Sequence, residues 1–239
     1  MVIGGVGGSG TRVVAEIIKA MGYYTGSLNK ANDNVQFAKK FSKPGWFRRH
    51  HKNNQQIIYR RMEKFEKEML ALKENQPSHY IGWGWKNPIT HIYLEYLTNY
   101  FKRIKYIHVI RNGLEMAYST NQNQLKKWGR LYQIKSSSEP DPKASLQYWY
   151  AANERAIRLG KKRLGRHFLL INYNHLCSNP KDDIKKIITF LELEPAKMKL
   201  EPLIQLVQPP KTLKRYENQD LSRFTKDDFA LVRKLGFEI

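Results

Sequence analysis

An α/β fold, with helices layered on both faces of a mostly parallel sheet, is what the order of apolar patterns along this 239-residue chain predicts. Three observations carry that expectation. The chain opens with a short apolar run, Met1-Val2-Ile3, which passes directly into a glycine-rich stretch and then into apolar residues at helical spacing. Two later runs, Ile104–Ile110 and His167–Asn172, have the β-branched and aromatic content of buried strands. Helical periodicity returns after each of them, and strands that alternate with helices build parallel sheets.

The elements follow in order. After the first strand comes Gly4-Gly5-Val6-Gly7-Gly8-Ser9-Gly10-Thr11-Arg12, then Val13, Val14, Ile17, Ile18 and Met21 mark a helix that Gly22 stops. Leu28 to Asn54 is polar and aperiodic and reads as loop with short helices; residues 28–75 form an insertion on the expected substrate side. Ile58, Met62, Phe65, Met69 and Leu72 define one face of a helix. His79–Trp83 reads as a short strand, and Asn87-Pro88 as the cap and first turn of a helix running to Phe101. Leu114–Trp128 is helical, 135–142 is an exposed loop, and helix resumes from Lys143 to Leu164. Ser178 and Pro180 open a helix whose Ile184, Ile187, Ile188 and Leu191 share a face. Thr225 with Asp228 resembles a capping box, and Gly236 ends the last helix. Residues 1–239 are expected to form one domain.

The chain carries a net charge of +21 and a lone cysteine, Cys177. The single thiol excludes an intramolecular disulfide and argues for a reducing, cytoplasmic setting. No stretch is long and apolar enough to span a membrane, and no charged-then-apolar leader precedes the first strand. The positive field draws in anions. It fits a polyanionic cofactor, an acidic acceptor such as a charged glycan, nucleic acid, or simply a solvated basic surface.

Five glycines in the seven positions Gly4–Gly10 destabilise a chain unless its backbone must come close to something. Their amides, with the positive end of the following helix, are equipped for a phosphate or a sulfate. Gly5 and Gly10 have the spacing of the nucleotide-triphosphatase loop G-x-x-x-x-G-K-[ST], but Thr11 and Arg12 stand where Lys and the magnesium-binding hydroxyl belong. That departure weakens a kinase or ATPase reading. Arg111 leaves the strand Ile104–Ile110 at its carboxyl end, where ligands of parallel sheets bind, and Ser119 lies about two helical turns further on. An arginine fork with a hydroxyl suits a second phosphate. A structural ion pair between Arg111 and Glu115 is the equally weighted alternative.

At these residues the sequence resembles the sulfotransferases that use 3′-phosphoadenosine-5′-phosphosulfate (PAPS). Gly7 to Arg12 is similar to their 5′-phosphosulfate loop, and Ile107 to Ser119 to their 3′-phosphate motif. Asn172-Tyr173-Asn174-His175-Leu176 with Asn179-Pro180 is similar to their Tyr-Glu-Asp-Leu…Asp-Pro segment, and Trp85-Lys86-Asn87-Pro88 to their Lys-Thr-Pro or Lys-Asp-Pro motif. The resemblance runs in order from Ile3 to about Leu193. It implies a P-loop-type fold of the bacterial branch and metal-independent sulfuryl transfer to a hydroxyl or amine, such as that of an anionic glycan or a small molecule. PAPS would lie on Gly7, Gly8, Ser9, Gly10, Thr11 and Arg12 at one end and on Arg111 and Ser119 at the other. Tyr173 would lie near the adenine, and a late basic loop with Lys214 and Arg215 would close over the 3′-phosphate. Two departures stand out: Gly8 occupies a position where many members carry Lys or Arg, and a Glu common after the first helix is missing from Tyr23 to Leu28.

Arg12 and Lys86 are the cations available to stabilise the departing phosphate. Asp33 is the first candidate for general base, followed by His50, His51 and His91. His50 and His51 sit among Trp46, Phe47, Arg48, Arg49 and Lys52, a basic aromatic cluster suited to an anionic sugar or lipid headgroup, or to no ligand at all. The competing classes are a nucleotide kinase, a non-catalytic polyanion-binding module, and a relative that binds nucleotide without transfer. No specific nucleic-acid partner is expected.

Overall fold

Val2 and Ile3 are fully buried against opposite layers, so the first strand, β1 (Val2–Gly5), lies inside the sheet rather than at its edge. The computed structural model describes the whole chain apart from Ser78, Ser136 and Ser138. After β1 come α1 (Thr11–Ala20) and β2 (Tyr23–Tyr24). The polar segment folds into α2 (Val35–Phe41), α3 (Pro44–His50) and α4 (Gln55–Glu74). Next are β3 (Gly82–Trp83), β4 (Trp85–Lys86), α5 (Leu94–Tyr100) and β5 (Tyr106–Ile110). The chain continues through α6 (Gly113–Ala117), α7 (Asn123–Trp128), α8 (Pro142–Leu164) and β6 (Phe168–Asn172). It finishes with α9 (Tyr173–Ser178), α10 (Pro180–Leu191), α11 (Leu200–Gln205) and α12 (Lys226–Lys234).

The main sheet has the order β4-β1-β5-β6 with every neighbouring pair parallel, and β2 and β3 form a second, two-stranded parallel sheet. Side chains alternate across β5. Tyr106 and Ile110 join the layer built on α2, α4 and α8, while Ile107 and Val109 join the layer built on α1 and α10. The result is the P-loop-type α/β architecture that the motif order predicts.

Three local expectations change. The helix expected over Leu114–Trp128 is two helices, because the chain leaves helical geometry between Ala117 and Asn123; Gln122 there is buried by tertiary packing. The strand expected over His79–Trp83 begins at Gly82, and the chain then switches sheets within three residues, Trp83 pairing with Tyr24 and Trp85 with Val2. The helix after Asn87 starts as a 3-10 turn over Pro88–Tyr93, with the Asn87 side chain accepting from the Ile89 amide. Of the loop at 135–142, Ser136 and Ser138 lie outside the described residues, and Pro142 already belongs to α8. The Thr225–Asp228 capping box forms as its spacing predicts.

Two buried imidazoles lie at the sheet, one on β5 and one on the 3-10 turn Pro88–Tyr93. His108 is fully buried, bonded through Nε2 to Asn153 Oδ1 at 2.9 Å and through Nδ1 to the Tyr106 hydroxyl at 3.2 Å. His91, also buried, meets Gln124 Oε1 at 3.4 Å. Burial pushes His91 down to about 3, aided by His108, and pushes His108 down to about 4. Both stay neutral in the fold at pH values where the unfolded chain binds protons. Stability is therefore lost as pH falls through the ordinary histidine range. In His91→Gln, the drop in urea midpoint from about pH 7 to about pH 5 is expected to be smaller than in the wild type. An equal drop in both proteins would remove His91 from the acid response.

Candidate active site

Four parallel strands present their carboxyl ends on one edge of the sheet. Lys86 ends β4, the glycine loop leaves β1, Arg111 follows β5 and Tyr173 follows β6. Residues spread over most of the sequence thus arrive at one crevice because the strands run the same way.

The loop is held open by backbone geometry. Gly8 and Gly10 have φ of +97° and +86°, values that L side chains rarely adopt. A Cβ on Gly10 would lie 2.1 Å from the Tyr173 ring, so that ring packs directly on the last turn of the loop. A Cβ on Gly8 would meet Met116 Cε at 3.2 Å. The left-handed backbone and the Met116 thioether together account for a glycine at position 8. Ser9 is fully buried, and its Oγ has no hydrogen-bond partner among the described residues. An orphaned hydroxyl within a glycine cradle fits an oxyanion acceptor. Gly10→Ala is expected to cost about 2–4 kcal/mol, combining left-handed strain with a clash. Gly236, with the same φ of +86° and open space around it, is the control. Thermal melts of the two alanine variants test this: Gly236→Ala should lose only about 1 kcal/mol.

Arg111 is buried and reaches the loop. Its Nη1 donates to the Gly8 carbonyl at 3.4 Å, its Nη2 to the Thr212 carbonyl at 2.6 Å and Oγ1 at 3.1 Å, and its Nε to Glu115. One Nη1 hydrogen remains uncommitted among the described residues. The ion pair with Glu115 therefore exists, and the guanidinium faces the loop as well. Glu115, with no exposed surface, is the hub: it also accepts from Asn174 Nδ2 at 2.7 Å and from the Lys214 amide at 2.9 Å. Through these bonds the late basic loop closes on Arg111. Burial and the nearby Arg111 charge lower the pKa of Arg215, and its Nε donates to the Thr212 carbonyl at 3.2 Å. The Arg111 guanidinium carbon stands 5.6 Å from the Tyr173 ring centroid. Burial is also the main reason the Tyr173 phenol is raised well above its usual pKa.

Lys86 and Asp33, 53 residues apart, form the second part of the site. The Lys86 ammonium donates to Asp33 Oδ1 at 2.6 Å and to the Ala31 carbonyl at 2.9 Å. Burial lowers the Lys86 pKa, Asp33 opposes that shift, and the exposed Arg12 adds to it. Asp33 opens onto a cleft of about 320 Å³ that also reaches Gly7, Asn87, Gln124 and Lys127.

The remaining candidates make no hydrogen bond to these groups among the described residues. Ser119 stands beyond the end of α6 with its Oγ accepting from the Asn121 amide at 3.2 Å, and no hydrogen bond among the described residues joins it to Arg111 or the loop. His50 and His51 end α3, one against the Trp46 ring at 5.2 Å and the other stacked on Phe47 at 5.0 Å, and neither lines the cleft. Glu115 is detectable beforehand only as an i,i+4 partner of Arg111. Gln124 has no local signal: its Oε1 accepts from the Tyr148 hydroxyl at 3.2 Å, and its amide lies 3.5 Å from a Cβ placed on Gly7.

Comparison with solved structures agrees with this architecture. The sulfotransferase domain from the curacin biosynthetic pathway superposes with a TM-score of 0.63 at 11% identity, covering 100% of this chain and 98% of that one. The sulfotransferase domain of the Synechococcus PCC 7002 olefin synthase gives 0.54 at 13% identity, covering 100% and 95%. Sulfotransferase STF9 from Mycobacterium avium gives 0.55 at 12% identity, covering 92% and 68%. No curated protein sequence matches the chain. The profile of the sulfotransferase family matches residues 2–197, which hold the glycine loop, Lys86, Arg111 and Tyr173 in that order, and the chain belongs to that family.

Proposed function

We propose that the protein transfers a sulfuryl group from PAPS to a hydroxyl or amine of an acceptor. The observation that carries this reading is the meeting of two anion sites: the Arg111 guanidinium donates to Gly8 of the glycine loop, and the Tyr173 ring lies against Gly10 beside it. Two adjacent anion sites suit a nucleotide whose ribose carries phosphate at both the 3′ and the 5′ position.

The loop amides of Gly7 to Arg12, with the Ser9 and Thr11 hydroxyls, hold the 5′-phosphosulfate end, where the dipole of α1 adds to the attraction. Arg111, Lys214, Arg215 and Ser119 serve the 3′-phosphate, and Tyr173 the adenine. PAPS supplies an activated sulfuryl group on a good leaving phosphate. Lys86 and Arg12 stabilise the charge that develops on the bridging oxygen as the sulfur–oxygen bond breaks. Donors placed in this way are worth about 3 kcal/mol each. Asp33 takes the acceptor proton as the new bond to sulfur forms, and Lys86 orients it beforehand. The role uses amides and cations throughout and requires no metal.

Calorimetric titration with adenosine 3′,5′-bisphosphate (PAP) tests the nucleotide site, and an acceptor screen with a labelled sulfate donor tests turnover. PAP is expected to bind, and a metal chelator is expected to leave turnover unchanged. Magnesium-dependent binding or hydrolysis of ATP without affinity for PAP would instead establish a phosphoryl transferase.

A further inference from the structure

The cleft in front of Asp33 continues outward. At Lys127 it adjoins a larger groove of about 780 Å³ between α3 and the α7 region. Among the described residues, Arg48, Lys126, Lys127, Arg130 and Lys135 line that groove and no Asp or Glu does. None of the five cations has a salt-bridge partner among the described residues. Pro44, Leu125 and Ile134 supply apolar floor between the charges. Unpaired cations of one sign in a concave site focus their field on a ligand.

We propose that this groove binds the negatively charged body of the acceptor, an acidic oligosaccharide, while one of its hydroxyls enters the cleft at Asp33. The proposal rests on the sulfotransferase reading and names its substrate class. Several cations close together call for several anionic groups on one short chain, and the adjoining cleft calls for a hydroxyl. An acidic sugar chain carries both on neighbouring units. Nucleic acid is the poorer fit, because single strands bind on exposed aromatic platforms and none lines the groove. Trp46 of the α3 cluster is already covered by the Arg61 guanidinium, 3.5 Å from its ring centroid.

The test is calorimetry of the full chain with a uronate-containing oligosaccharide, a neutral oligosaccharide of equal length, a single-stranded oligonucleotide and an acidic peptide, with PAP affinity measured on the same samples. The acidic sugar is expected to bind most tightly, and to bind more weakly as salt is raised. In the double variant Lys126→Glu/Arg130→Glu, its affinity is expected to fall at least about tenfold while PAP affinity is unchanged. The double alanine variant serves if the charge reversals do not fold, with a smaller loss in the same direction. Equal binding of acidic and neutral sugars, tighter binding of the oligonucleotide or peptide, or an unchanged affinity in the variants would overturn the proposal. PAP binding without sugar binding would reject the groove alone. Sugar binding without PAP binding would reject the transferase reading, and the acceptor role with it.

Discussion

Arg111→Ala is expected to lose PAP binding by about a thousandfold or more and to lower stability by about 3–5 kcal/mol. Both effects come from one side chain. On the ligand side, the fork is the only guanidinium that contacts the glycine loop through a hydrogen bond among the described residues. On the stability side, its removal leaves Glu115, which has no exposed surface, without its cation. Asn174 and the Lys214 amide then face a buried carboxylate that they cannot neutralise. Two companion variants separate the effects. Arg111→Ala with Glu115→Gln removes the stranded charge and recovers stability, but not PAP affinity. Arg215→Ala, which leaves the buried Arg111–Glu115 pair itself intact, weakens PAP by about tenfold with little change in the thermal midpoint. PAP affinity in Arg111→Ala within about threefold of wild type would reject the 3′-phosphate assignment.

Lys86→Ala carries the second large effect, in kcat rather than in affinity. Loss of a preorganised donor at the leaving oxygen lowers turnover by about 10²–10³-fold, while PAP affinity stays within about twofold. Equal losses in both would make Lys86 an ordinary binding residue, and unchanged turnover would remove it from the mechanism. The pH profile adds a separate readout. Burial lowers the Lys86 pKa and Asp33 raises it, so Asp33→Asn removes the opposing contribution. The ammonium then deprotonates at lower pH, and the alkaline limb of the residual activity moves toward neutrality.

Much of the site is legible from local patterns, and the reasons differ by element. A glycine loop between a strand and a helix is a local device, so Gly4 to Arg12 can be read without the rest of the chain. Arg111 is legible because it directly follows a run of β-branched and aromatic residues, and parallel strands open their sites at that end. The partnership of Lys86 with Asp33 is not written in either neighbourhood. It arises because β4 pairs with β1, Ile3 opposite Lys86, while the turn before α2 folds back over that strand end. The same holds for the loop around Lys214, whose place is set by a backbone bond to Glu115 across 99 residues.

The break of Leu114–Trp128 into two helices shows the limit from the other side. Between the two helices Ser119–Gln124 is an unbroken polar run, and the Ser119 and Asn121 side-chain oxygens accept from the Asn121 and Asn123 amides in competition with the helix ladder. His50 and His51, from a cluster rich in reactive side chains, also pack: their rings lie against Trp46 and Phe47. The amino-acid order alone determined the alternation of strands and helices, the glycine loop and the basic character, because periodicity and glycine content act over a few residues. Tertiary structure alone decided which distant polar groups meet. Buried charges such as Glu115 and Lys86 must find partners, and only the packed sheet and its layers determine which are within reach.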